Sequence, residues 1–380
     1  MLPLLFAVAL AQDEPPPLID VLPPPPPARC EPTTNPAADW SVDLIDSDAA
    51  DALEAHLFPA SVDRDRKERL GTRTEGVVVV HRGEVVFERY APGWDADKRH
   101  LAWSASKTVT AALVGHAVQL GVLDVTDSIC DHYEPANTDQ CAITVQDLLE
   151  QTSGIAWRET YEGVSPTASS VLAMLYGEGH ADMAAFVASQ PMAQPPNTQW
   201  YYSSGNSNLL SAVVGAVLVP QHGERYPWPA LFTPLGMTPT FERDAAGTFI
   251  GSSYLWATPR DLARFGQFLL QDGCWSDADL LPEGFVTRLS TPNRVSAASD
   301  DPEMPSYGWQ TWLNAPANDA AESRWPSAPA STFAAMGHWG QSVTVVPEHD
   351  LVVVRVADDR DRTYDHDTTL ALAMALVEAR

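Results

Sequence analysis

Lysine is almost missing from this chain. Three of its 380 residues are lysine, at positions 67, 98 and 107, against twenty arginines. Cysteine is scarce as well, with four residues at 30, 130, 141 and 274. Neither these nor the scattered histidines show metal-ligand spacing, so no metal and no other cofactor is expected. Basic charge is short overall: the net charge is −27 and the sequence pI about 4.5. That excludes nucleic acid and anionic membrane as partners, since both require a basic footprint. Past residue 11 no apolar run is long enough to span a bilayer, so no integral membrane segment is expected there. There are no internal repeats.

What is present begins with the apolar run Leu2–Ala11, which ends in a small-x-small pattern. It reads as a signal peptide over residues 1–11 and predicts export to the periplasm or the cell exterior. Ten prolines follow between Glu14 and Pro36. Residues 12–38 therefore read as a polyproline-II-like linker, suited to tethering a domain at a surface. Cys130 and Cys141 flank a short polar loop and fit a local disulfide in an oxidising compartment. Cys30 with Cys274 would then staple the linker to the body; four free thiols are the alternative. The acidic run Asp358, Asp359, Asp361, Asp365 and Asp367 lacks calcium-loop spacing and reads as a solvated face.

Residues 39–380 carry the domain. Helix is predicted over 48–57, and β-rich runs at 76–80 and 85–90 are joined by a Gly-containing turn. A second strand pair is predicted at 342–346 and 351–356, and a last helix over 365–379. Between them lie mainly helical patterns at 105–122, 144–151, 168–188, 206–218, 259–271 and 283–290. Strands at both ends imply an α+β fold with one antiparallel sheet formed from both termini. That sheet part is expected over about 39–122 and 300–380, with a helical insertion over about 123–299. Sites tend to lie where such parts meet.

Lys107 stands in Trp103-Ser-Ala-Ser-Lys107, three residues after Ser104. A buried ammonium can lose its proton near neutral pH whereas a guanidinium cannot, so lysine here suits the activation of a serine nucleophile. If Ser104 opens a helix, the two side chains share one face, and the Ser104 N–H is a free helix-terminal donor. A second cluster, Trp200-Tyr-Tyr202-Ser-Ser204, offers Tyr202 as phenolate base or proton relay. A third, Met336-Gly337-His338-Trp339-Gly340-Gln341, has the glycines that let a strand N–H approach a ligand.

In this order the clusters resemble the serine β-lactamase and penicillin-binding-protein superfamily, class C β-lactamases in particular. Among its branches they are most similar to the 6-aminohexanoate-dimer hydrolases and family VIII esterases. The likeness runs from about Thr74 to the C-terminus. It includes Thr144-Val-Gln-Asp-Leu-Leu-Glu-Gln-Thr-Ser-Gly154 and Ala257-Thr-Pro-Arg-Asp-Leu-Ala-Arg-Phe-Gly266. It implies a β-lactamase/transpeptidase-like fold and a serine hydrolase. Ser104 would be the acylated nucleophile, Lys107 its base and Tyr202 the proton relay. The oxyanion hole would combine the Ser104 N–H with that of His338, or of Gln341 if His338-Trp339-Gly340 fills the Lys-Thr-Gly slot of β-lactamases. Tyr161 would be a substrate-facing loop residue.

The departures from the pattern are informative. Ser204 stands where β-lactamases usually carry the Asn of Tyr-x-Asn, and the third motif has no lysine. A β-lactam or D-Ala-D-Ala carboxylate then loses a charge-assisted partner worth about 1.5–3 kcal/mol. Both changes favour small esters or linear amides as substrates. The alternatives are a β-lactamase or D-Ala-D-Ala carboxypeptidase and, in a different class, a catalytically silent cell-wall-binding or sensor module. Gln151 replaces a histidine common among relatives, without a derivable consequence.

Overall fold

The computed structural model describes residues 40, 42–134, 137–276, 278–361 and 363–378. The expected signal peptide, the linker and Cys30 lie outside the described residues.

Strand β1 (Thr74–His81) contains four consecutive valines, all fully buried. An unbroken apolar run of this kind suits a strand covered on both faces. It turns into β2 (Glu84–Tyr90) through Arg82 and Gly83, both at positive φ, as a two-residue hairpin turn requires. Four further strands complete the sheet: β3 (Trp312–Leu313), β4 (Phe333–Gly337), β5 (Gln341–Val346) and β6 (Leu351–Ala357). All neighbours are antiparallel in the order β2-β1-β6-β5-β4-β3, so the two chain ends meet at β1 and β6.

One face is covered by α1 (Asp48–Leu57) and α5 (His366–Glu378), which bury Leu53, Leu57, Leu370 and Leu376 against Val77, Val79 and Val353. The opposite face meets α4 (Pro259–Leu270). Thr258 and Asp261 form a capping box at its start, with Pro259 in its first turn. It approaches the sheet so closely at Gly266 that a Cβ there would lie 2.5 Å from Val352 Cγ1. Beyond α4 lies α2 (Ser106–Gln119), buried on every side from Ser106 to Ala117. A helix without a polar face belongs in the middle of a core. The helical part packs around it through α3 (Ser204–His222) and several short helices.

The helix expected over 168–188 is two helices, Ser170–Tyr176 and Met183–Ala188. The first ends at Gly177, and the second starts afresh from the Asp182 side-chain cap. Cys130 and Cys141 form the expected disulfide. Cys274 is disulfide-bonded too. The acidic run departs from its reading as a solvated face. Asp359 is buried and takes both guanidinium arms of Arg355, itself fully buried, at 2.6 and 3.0 Å.

Candidate active site

Ser104 sits in a short 3-10 turn, Trp103–Ala105, that leads into α2. Trp103 before it is held at φ +48°. A bulky residue in that region is strained and persists only where packing enforces it. Here the packing is aromatic: the Trp103 ring meets Trp339 edge-on at 5.1 Å and His338 at 5.9 Å.

Lys107, the second residue of α2 and three positions after Ser104, is fully buried. Its Nζ donates to Ser104 Oγ at 3.0 Å, to Ser204 Oγ at 3.0 Å and to the Ser252 carbonyl at 2.9 Å. All three ammonium donors are therefore directed, with one on the serine. Burial lowers the Lys107 pKa to about 8, against an opposing pull from the Glu159 charge. A base that is partly neutral near physiological pH and in contact with a hydroxyl can take its proton.

Tyr202, two residues before α3, faces the same point. Lys107 Nζ lies 5.0 Å from its ring centroid. The ring stacks on Trp312 at 5.6 Å and meets Tyr307 edge-on. Burial and the Glu159 charge raise its phenol well above the ordinary range, against a lowering by its hydrogen bond with Ser104. The phenolate reading from sequence is thus corrected. Low dielectric and a nearby carboxylate favour the neutral phenol.

The third cluster closes the site from the sheet. Gly337 ends β4 against the nucleophile turn, where a Cβ would lie 2.2 Å from the Ala102 carbonyl oxygen and 3.1 Å from Trp103 Cβ. His338 follows it directly. Gly340 turns the corner at φ +94°, and a side chain there would collide with Arg355 and Asp359. Gln341 opens β5 and is tied into the sheet: its amide donates to the Ala357 carbonyl and accepts from the Ala357 N–H. Tyr161 stacks on His338 at 5.1 Å, and its hydroxyl lies 3.4 Å from Ser204 Oγ. All the residues singled out from sequence therefore converge, although Gln341 and Gly340 do so as parts of the corner.

One residue had been overlooked. Glu159 accepts from Ser204 Oγ at 2.5 Å, Ser204 N at 2.9 Å, Trp157 Nε1 at 2.6 Å and Tyr161 OH at 3.1 Å. It stands two residues before Tyr161, and nothing in the sequence shows that its loop folds back on α3. Gln151 also gains a role. Its side chain accepts from Ser203 N and Asn206 Nδ2 and donates to Gln310, clamping the start of α3.

Comparison with known proteins places the family and the fold. Residues 62–376 match the family model Beta-lactamase, and the chain belongs to that family of serine hydrolases and penicillin-binding relatives. It is 25% identical over 327 residues to a 6-aminohexanoate-dimer hydrolase of Paenarthrobacter ureafaciens, covering 80% of this chain and 77% of that protein. In fold it is similar to a Bacillus anthracis protein provisionally assigned as a 6-aminohexanoate-dimer hydrolase, with TM-score 0.68 and 19% identity over 92% and 90% of the two chains. It is also similar to EstCE1, a hydrolase with promiscuous acyltransferase activity, with TM-score 0.62 and 14% identity over 87% and 100%.

Proposed function

We propose that this hydrolase cleaves small esters or linear amides through an acyl-enzyme on Ser104. The observation that carries this reading is the 3.0 Å contact between Ser104 Oγ and a buried Lys107 whose pKa is depressed to about 8. Lys107 takes the hydroxyl proton as Oγ attacks the carbonyl. The N–H groups of Ser104 and His338 hold the oxyanion. The packing of Gly337 on the nucleophile turn supports the N–H of His338, the next residue, as the second donor. Tyr202 protonates the leaving group, and the same relay activates water to release the acyl group. Ser204 and Tyr161 line the substrate side.

Two features support esters and linear amides over β-lactams. The corner that lacks the third-motif lysine meets an acid, with His338 Nε2 2.8 Å from Glu162 Oε1. A substrate carboxylate finds like charge there. The names of the relatives, a 6-aminohexanoate-dimer hydrolase and a hydrolase with promiscuous acyltransferase activity, support acyl chemistry on substrates other than β-lactams. In keeping with the apolar run at residues 2–11, the proposal includes an exported enzyme acting on small molecules.

The test is labelling by an alkyl fluorophosphonate together with a comparison of p-nitrophenyl esters and nitrocefin. Stoichiometric modification of Ser104 and ester turnover at least about tenfold above nitrocefin turnover are expected. Absence of labelling would favour the silent module; comparable nitrocefin turnover would favour the β-lactamase.

A further inference from the structure

Beside the nucleophile turn, and sharing Trp103 with it, lies a cavity of about 650 Å³ that does not include Ser104. Seven basic and three acidic side chains line it, a local excess of four positive charges in a chain of net charge −27. Charge of one sign concentrated against the overall trend marks a place built to meet the opposite sign.

The cations there are only partly neutralised. Arg69 and Arg360 share Asp358. Arg64, Arg73 and Arg99 instead donate to backbone carbonyls, of Thr74, of Asp63 and Arg64, and of Thr238. None of these three forms an ion pair among the described residues, and Lys67 at the rim has none either. Burial and the neighbouring Arg73 charge hold the Arg64 guanidinium below its ordinary range, against the opposing charges of Glu75 and Asp359.

The remaining wall is aromatic. Trp94, Trp103, Trp256 and Trp339 line the cavity; Arg360 already lies 3.1 Å over the Trp339 ring and Lys98 5.0 Å over that of Trp94. Trp94 stacks on His100 at 4.1 Å. His100 is buried, its Nδ1 lies 3.1 Å from Glu75, and its Nε2 has no hydrogen-bond partner. The volume is that of a small-molecule site.

We propose that this cavity binds a small aromatic anion, its flat body packed against Trp103 and Trp256 and its carboxylate or phosphate held by Arg64, Arg99 and Lys67. Stacking on an indole face and charge-assisted donation to the anion are complementary, and neither needs the chemistry of Ser104.

The probe is 2-naphthoate, followed by calorimetry and by quenching of tryptophan fluorescence, on wild type and on Ser104→Ala. Saturable one-site binding is expected in both, so the result does not depend on the hydrolase reading. It should weaken several-fold between about 50 and about 500 mM sodium chloride through screening. The Lys67→Gln/Arg99→Gln double variant, with melting temperature and ester turnover unchanged, should bind at least about tenfold more weakly. Neutral 2-naphthol should bind more weakly by a similar factor. Undiminished binding in the double variant, or equal binding of 2-naphthol, overturns the proposal. If inorganic phosphate binds as tightly as 2-naphthoate, the tryptophans contribute nothing and the aromatic part of the proposal falls.

Discussion

Ser204 Oγ donates to Glu159 Oε1 at 2.5 Å while the same oxygen accepts from Lys107 Nζ at 3.0 Å. The buried base is thus joined to a carboxylate through one hydroxyl. The carboxylate favours the charged lysine, and burial favours the neutral one.

Because only neutral Lys107 can accept a proton, kcat/KM for an ester should rise with pH through the depressed pKa of about 8. Glu159→Gln removes the charge that raises this pKa, so the acid limb should move to lower pH. A profile that keeps its midpoint in Glu159→Gln would refute the electrostatic link, whatever happens to the maximum rate.

Lys107→Met should preserve the fold and reduce fluorophosphonate labelling at least about 100-fold, the usual scale of a lost general base. Lys107→Arg should also fail to acylate, because a guanidinium keeps its proton. The folded pKa of about 8 lies below the ordinary 10.5. The unfolded chain therefore binds more protons across that window, and this lysine's contribution to stability rises with pH through it. Melting curves at both ends should show the difference between wild type and Lys107→Met shifting in favour of wild type at high pH.

Gly337→Ala tests the closure of the sheet on the nucleophile. A Cβ 2.2 Å from the Ala102 oxygen must push β4 off the turn. Ester turnover should fall at least about tenfold, as expected when reacting groups are displaced by a fraction of an ångström. The loss should appear in kcat more than in KM. Normal turnover would show that β4 does not supply the oxyanion donor.

Asp359→Ala leaves Arg355 buried without its carboxylate. Breaking one side of a buried pair costs about 3–5 kcal/mol. Since Gly340 rests on this pair, the variant should lose ester turnover along with thermal stability, measured on the same preparation. An unchanged melting temperature would contradict the buried-pair account.

Much of the fold was legible because its signals are local. The valine runs and hairpin turn of β1 and β2, the capping box of α4 and the strand pair β5–β6 each declare themselves within a few residues. The break at Gly177 is written in the sequence by Gly177, Gly179 and the cap Asp182, signals that the apolar residues on either side outweigh in a long helical pattern. Asp359 was misread for a related reason: one acid in a run of five looks like the rest until Arg355 is placed against it.

The site divides in the same way. Ser104 and Lys107 were set by sequence, because one helical turn brings residues three apart to one face. Where Glu159 goes, what Gln151 clamps and which way the Tyr202 phenol titrates were decided only by tertiary structure. Those properties depend on burial and on charges brought together from distant segments. A lysine can be recognised from its neighbours in the chain, but its proton affinity belongs to its neighbours in space.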